Sequence, residues 1–137
     1  MAGYSGTPLV KKLGVKPGYH VALVGAPDDF PALLAPLPEG ASVRGDSRGR
    51  GPLDVIIFFT PDLSTLTAGF AGLVGRLSPA GGLWVAWPKK ASGVRTDLTE
   101  DVVRAVGLDA GLVDNKVCAV DETWSGLRFV FRLVDRP

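Results

Sequence analysis

The sequence predicts a small α/β domain built on one doubly wound, mostly parallel sheet of about six strands, closed by an antiparallel C-terminal hairpin. Three observations predict it. Residues 55–59 and 83–87 are unbroken apolar runs, as expected of strands covered on both faces. Leu63, Leu66, Phe70, Leu73 and Leu77 recur between them at helical spacing and mark one buried helix face. Residues 116–120 and 127–133 read as two further strands, and the polar Asp121-Glu122-Thr123-Trp124-Ser125-Gly126 between them has hairpin length and turn chemistry.

The chain opens with a helical lead-in over residues 1–18, where Thr7 can cap, Pro8 suits a first turn and Gly14 suits the position after the last one. Leu9, Val10 and Leu13 form its buried side. Pro17-Gly18 turns the chain into a strand at 19–25. A short helix at 31–37 is stopped by Pro36 and Pro38, and a short strand follows at 41–44. The Gly/Arg-rich stretch 45–52 has no apolar period, so an exposed, mobile loop is expected. After the strand at 54–59, Thr60 is expected to cap a helix, with Pro61 in its first turn and Asp62 as the acid near its positive end. Residues 79–82 turn into the strand at 83–87, which Pro88 ends. Asp97 with Glu100 three residues on predicts the start of a helix whose apolar side holds Leu98, Val102, Val103 and Val106, and which Gly107 ends. In the last strand Leu127, Phe129, Phe131 and Leu133 alternate with Arg128, Val130 and Arg132, so one face should be wetter.

Composition narrows the function classes. With 137 residues, 46% hydrophobic and 21% charged, one domain spanning 1–137 is expected, without a linker. Fifteen Lys and Arg against 14 Asp and Glu leave a net charge of +1, too small a field to gather nucleic acid or an acidic membrane surface. The lone Cys118 cannot form an internal disulfide, and Met1-Ala2-Gly3-Tyr4 starts no secretion signal, so a cytoplasmic location is expected. No apolar run approaches the ~18 residues a membrane span requires.

Leu13-Gly14-Val15-Lys16-Pro17-Gly18 before the first long strand resembles the lead-in of class I S-adenosylmethionine-dependent methyltransferases, and Arg76-Leu77-Ser78-Pro79-Ala80-Gly81-Gly82-Leu83 resembles their later strand entry. The closing hairpin is similar too, because that Rossmann-like fold slots its last strand, reversed, between two parallel ones. More narrowly, Tyr4-Ser5-Gly6-Thr7-Pro8-Leu9, Trp87-Pro88-Lys89-Lys90-Ala91-Ser92-Gly93 and Val117-Cys118-Ala119-Val120-Asp121-Glu122-Thr123-Trp124-Ser125-Gly126 resemble a family of small bacterial proteins classed as a domain of unknown function. That resemblance implies the fold and no activity.

The methyltransferase resemblance implies a glycine-rich cofactor loop after the first strand and an acid after the second. Here the loop is Gly25-Ala26-Pro27-Asp28-Asp29, with one glycine where two or three are usual, and Pro27 removes a backbone donor. One strand–helix unit of the full fold is absent between Arg44 and Asp54, and the acid would have to be Asp46, on the Gly/Arg loop, where preorganisation is poor. The expectation is therefore that no cofactor is bound.

Other chemistry is thin. His20, the one histidine, opens the first strand at the rim away from the strand C-termini, where open α/β sheets do not hold ligands. One histidine and one cysteine give no metal set, and Cys118 reads as a small hydrophobe in a strand. A single constellation remains. Parallel strands bring Ala26, Pro61 and Lys89-Lys90 to one rim, and the hairpin turn returns Asp121, Glu122 and Trp124 towards the lysines, with Tyr4, Lys11 and Lys12 near. Lys89, Lys90, Asp121, Glu122, Trp124 and Tyr4 are the candidate ligand-binding residues, suited to a zwitterionic or phosphorylated small molecule with Trp124 as stacking face. The same charges can instead pair with one another while Trp124 caps the core. Three functions follow as expectations: a non-catalytic domain binding a partner protein or small anionic or zwitterionic ligand at the rim; a reduced S-adenosylmethionine-dependent methyltransferase; and nucleic-acid binding resting on Lys89, Lys90, Arg44, Arg48 and Arg50.

Overall fold

A computed structural model describes residues 7–47, 49 and 51–135. The elements run α1 (Leu9–Lys12), β1 (His20–Val24), a 3₁₀ turn (Pro31–Leu34), β2 (Ser42–Arg44), β3 (Leu53–Phe59), α2 (Leu63–Val74), β4 (Leu77–Pro88), a 3₁₀ turn (Lys90–Ser92), α3 (Glu100–Asp109), β5 (Leu112–Ala119), β6 (Trp124–Phe131) and a last 3₁₀ turn (Leu133–Asp135). They build a six-stranded sheet in the order β2-β1-β3-β4-β6-β5. β1 pairs in parallel with β2 and β3, and β3 with β4, whereas β6 is antiparallel to both β4 and β5. The mixed α/β sheet with a reversed last strand is the one the sequence predicts. Among the described residues no helix is long and apolar enough to cross a membrane.

Strand period divides the interior in two. On one face Ile56, Phe58, Leu83, Val85, Trp87, Leu127 and Phe129 meet Leu66, Phe70 and Leu73 of α2 and Val103 of α3. On the other, Val55, Ile57, Phe59, Trp84 and Ala86 meet Val10 and Leu13 of the lead-in together with Phe30 and Leu34. Both faces being covered, β3 and β4 carry no polar alternation. The lead-in is fixed by a long-range hydrogen bond: the buried Trp84 indole Nε1 donates to the Leu13 carbonyl at 3.0 Å.

Several local expectations are corrected. Thr60 does not cap α2. It is fully buried, its Oγ1 donating to the Ala86 carbonyl at 2.9 Å, and the N-cap is Asp62, whose Oδ1 accepts from Thr65 N at 2.8 Å. Asp97 does not cap α3 either. Its Oδ1 accepts from Leu63 N at 2.8 Å, so two aspartates satisfy α2, and Thr99 caps α3 through Val102 N at 3.2 Å. The α2 periodicity stops at Leu73, since Leu77 already pairs with Leu53 as the first residue of β4. Gly107 lies inside α3, not at its end, because Phe129 fills the space a side chain there would need. The hairpin strands begin earlier than expected, at Leu112 and Trp124. In β6 the arginine side is the wetter one, with Arg128 half-buried against buried Leu127 and Phe129, but Val130 on that side is buried. At the Gly/Arg loop the Arg76 guanidinium donates to the carbonyls of Ser47 and, at 2.9 Å, Gly51; Arg48 and Arg50 lie outside the described residues.

Two outcomes follow from these contacts. Trp84→Phe keeps an aromatic ring but leaves the Leu13 carbonyl unpaired and part of the indole space empty, and it should lower unfolding free energy by about 2–4 kcal/mol, read as a lower urea midpoint at unchanged slope. The second concerns acid. The Thr65 amide and then the Thr65 hydroxyl hold the Asp62 carboxyl below its ordinary value of 3.8, partly opposed by burial. A folded-state value below the unfolded one gives stability that is complete above the unfolded value and fades as pH falls through the folded value. Urea midpoints should therefore decline as pH is lowered past the ordinary value, and Asp62→Asn, which still caps, should flatten that decline.

Candidate functional site

Parallel strands carry the ends of β1, β2, β3 and β4 to one rim, which the turn between β5 and β6 joins. After β1, Gly25 adopts φ +72°, and a Cβ there would lie 3.0 Å from the Phe59 carbonyl oxygen. The turn then folds back: Phe30 N donates to the Pro27 carbonyl at 3.0 Å, and the buried Phe30 ring meets Phe59 edge-on at 4.8 Å. Pro27 is half-buried, while Asp28 and Asp29 are exposed. Asp46 follows the end of β2 by two residues, next to Ser47, whose carbonyl accepts from Arg76. Beside it an apolar cleft of about 280 Å³ is lined by Leu23, Pro31, Leu34, Leu37 and Val43.

At the end of β4, Pro88 pairs with Trp124 and Lys89 N donates to the Thr123 carbonyl at 2.7 Å, so the lysines and the hairpin turn are neighbours along the backbone. Their side chains divide. Trp124 stands edge-on to Phe59 at 5.1 Å within the interior on the α1 side. Lys89 and Lys90 line a cleft of about 730 Å³ on the other face, floored by Trp87 and Leu98. Asp121 Oδ1 accepts from both Thr123 N and Trp124 N at 2.8 Å, which folds the turn, and Glu122 is exposed at its tip. Among the described residues no ion pair joins Lys89 or Lys90 to Asp121 or Glu122. Tyr4 lies outside the described residues. Lys11 is exposed, and Lys12 Nζ donates to the Ala119 carbonyl at 3.2 Å, tying α1 to the end of β5.

Sequence reasoning missed Arg95, Thr96, Thr99 and Ser125, which also line the larger cleft. The signal was present: residues just before a helix that packs on a parallel sheet sit at the same rim as the strand ends.

The opposite rim shows why His20 makes no hydrolase centre. Its ring Nδ1 is 3.2 Å from Ser42 Oγ, but the Asp54 carboxylate that would have to orient the ring accepts instead from the His20 backbone N at 2.8 Å. Burial pushes the half-buried Cys118 thiol up, against the opposing pull of Lys12 and Lys116, which disfavours a thiolate. Among the described residues no group of three or more His, Cys, Asp or Glu stands ready for a metal ion.

The fold is similar to that of solved S-adenosylmethionine-dependent methyltransferases. One from Aquifex aeolicus superposes with a TM-score of 0.60 at 18% identity over 88% of this chain and 86% of that one. The ribosomal protein L11 methylase of Lactobacillus delbrueckii subsp. bulgaricus gives 0.60 at 14%, over 90% and 75%. Magnesium protoporphyrin IX methyltransferase of Synechocystis PCC 6803, solved with bound S-adenosylmethionine, gives 0.58 at 15%, over 90% and 74%. Neither a protein-family model nor a curated protein matches the chain. The chain thus has the Rossmann-like methyltransferase fold.

Set against the cofactor that fold implies, the residues fit with two departures in the turn. Gly25 holds the left-handed turn at the end of β1, and Asp46 sits past the end of β2 beside an apolar cleft. The departures are that Gly25 is the one glycine of the turn and that Pro27 offers no amide hydrogen. The asparagine variant of the turn aspartate gives a local check: Asp121→Asn keeps one acceptor oxygen and should leave the hairpin intact. Asp121→Ala should speed hydrogen exchange of the Thr123 and Trp124 amides, with little change elsewhere.

Proposed function

We propose that this chain is an S-adenosylmethionine-dependent methyltransferase of reduced size. One observation carries the proposal: the sheet order places the Gly25 turn and Asp46 on the same rim, as ends of adjacent parallel strands. The likeness to methyltransferase structures supports this reading better than a non-catalytic role. It stands against the expectation drawn from the loop sequence alone, and Arg76, which donates to the Ser47 carbonyl next to Asp46, supports the same reading.

When bound, the cofactor supplies an electrophilic methyl on a sulfonium. The chain's share is binding and alignment. Backbone amides after Gly25 would face the cofactor, Asp46 would accept hydrogen bonds from ribose hydroxyls, and the cleft floored by Leu34 and Val43 would take the flat base. Membership of the family of small bacterial proteins that the quoted motifs resemble belongs to the same proposal.

A second reading is favoured by Pro27. With that amide missing, the rim serves a non-catalytic domain that binds a partner protein or a small anionic or zwitterionic ligand.

Isothermal titration with S-adenosylmethionine and S-adenosylhomocysteine separates the two. Methyl transfer expects a dissociation constant on the order of micromolar for either ligand, weakened about tenfold or more by Asp46→Ala. It also expects Gly25→Ala to abolish binding, because the left-handed φ costs an alanine about 1–2 kcal/mol and its Cβ meets the Phe59 carbonyl. Heats indistinguishable from dilution with both ligands leave only the second reading.

A further inference from the structure

We propose that the cleft between the end of β4 and the start of α3 is a binding site for a small organic phosphate, separate from the cofactor turn. β1 and β4 are two strand spacings apart, about 10 Å, with β3 between them. The cleft opens on the α2–α3 face, whereas the Gly25 turn packs through Phe30 on the other.

Its charge is the first argument. Lys89, Lys90 and Arg95 line the cleft, and among the described residues none of them has a carboxylate partner. Glu100, the one acid of the lining, is already engaged by Arg104 Nη2 at 2.7 Å, and Arg104 also holds Asp101 at 3.1 Å and Asp114 at 3.0 Å. Over the lining itself three cations stand against that one acid, which leaves its charge positive. Three donors of this kind, one of them a planar guanidinium, match the several oxygens and the double charge of a phosphate better than a single carboxylate.

Preorganisation is the second. Residues 89–99 contain little regular structure, yet the hydroxyls of Ser92 and Thr96 fix the wall. Ser92 Oγ donates to the Lys89 carbonyl at 2.6 Å and accepts from Val94 N at 3.1 Å. Thr96 Oγ1 donates to the Pro61 carbonyl at 2.7 Å and accepts from Leu98 N at 3.1 Å. The wall is held before any ligand arrives, which lowers the ordering cost of binding.

Shape is the third. About 730 Å³ lies in the range of small-molecule clefts, with the buried Trp87 and Leu98 as floor and Val94, 48% exposed, at the mouth. Such a floor suits an apolar or planar body attached to the phosphate. A nucleic acid would need a cationic track instead, and Arg44 sits on β2, three strands from the lysines.

The site is claimed under either reading of the rim, so its test omits S-adenosylmethionine. Isotope-labelled protein is titrated in low salt with phenyl phosphate, with inorganic phosphate and with a single-stranded oligonucleotide, following backbone amide shifts. Phenyl phosphate should give saturable shifts centred on Val94, Thr96 and Ser125, and inorganic phosphate a weaker response at the same amides. Lys90→Ala with Arg95→Ala should weaken phenyl phosphate binding by about tenfold or more, while Lys11→Ala with Lys16→Ala, which removes equal charge elsewhere, should not. Both pairs are exposed, and equal melting temperatures confirm that folding is untouched; if the cleft pair lowers the melting temperature, Arg95→Gln alone must still weaken binding. The proposal is overturned by shifts that do not saturate, by shifts centred elsewhere, by equal losses from the two double variants, or by oligonucleotide binding that outcompetes phenyl phosphate and collapses with salt.

Discussion

The indole of Trp84 is the contact on which the two ends of the chain close. It lies on β4 between Ile57 of β3 and Arg128 of β6, fully buried, and its N–H reaches the Leu13 carbonyl, 71 residues earlier in the chain. A buried indole donor left unpaired is costly, so the ring has one orientation, and that orientation settles two others. The lead-in must end where its carbonyl meets the ring. Residue 126 must be glycine, because a Cβ there would stand 3.1 Å from the ring edge and 2.9 Å from Val120. The reversed strand can slot beside β4 only over that gap, and the whole C-terminal rim is assembled around it.

How much of this could be read in advance depended on which residues carried a period. The apolar runs of β3 and β4 and the leucine spacing of α2 announced themselves, since each follows from burial on two faces or on one helical stripe. Element ends were harder. Thr60, Asp62, Asp97 and Thr99 are all acceptable caps by type, and what selected among them was tertiary: Thr60 is drawn into the interior by the Ala86 carbonyl, and Asp97 is within reach of α2 because the chain returns to it. Leu112 and Val113 were not recognised as strand because the polar Asp114, Asn115 and Lys116 follow them, and a sheet margin needs little hydrophobicity.

The candidate site was legible as a rim but not as faces. Parallel strand direction was enough to bring Lys89, Lys90, Asp121, Glu122 and Trp124 to one end of the sheet. Which side each would take depended on the exact strand ends, because a shift of one residue exchanges the faces. With β6 starting at Trp124, that ring packs on the α1 side, while Trp87 and Ser125 line the cleft on the other. Asp121 was read as a ligand group because an aspartate at a turn looks the same in sequence whether its oxygens face solvent or the two amides ahead of it.

The outermost strands of the sheet have one more consequence. β2 is three residues long, and β5 breaks register with β6 between Asp114 and Lys116. An open sheet presents raw margins on which other chains can template. Here one margin is too brief to hold a visitor in register and the other is kinked and carries a lysine, so both outer strands oppose edge-to-edge pairing.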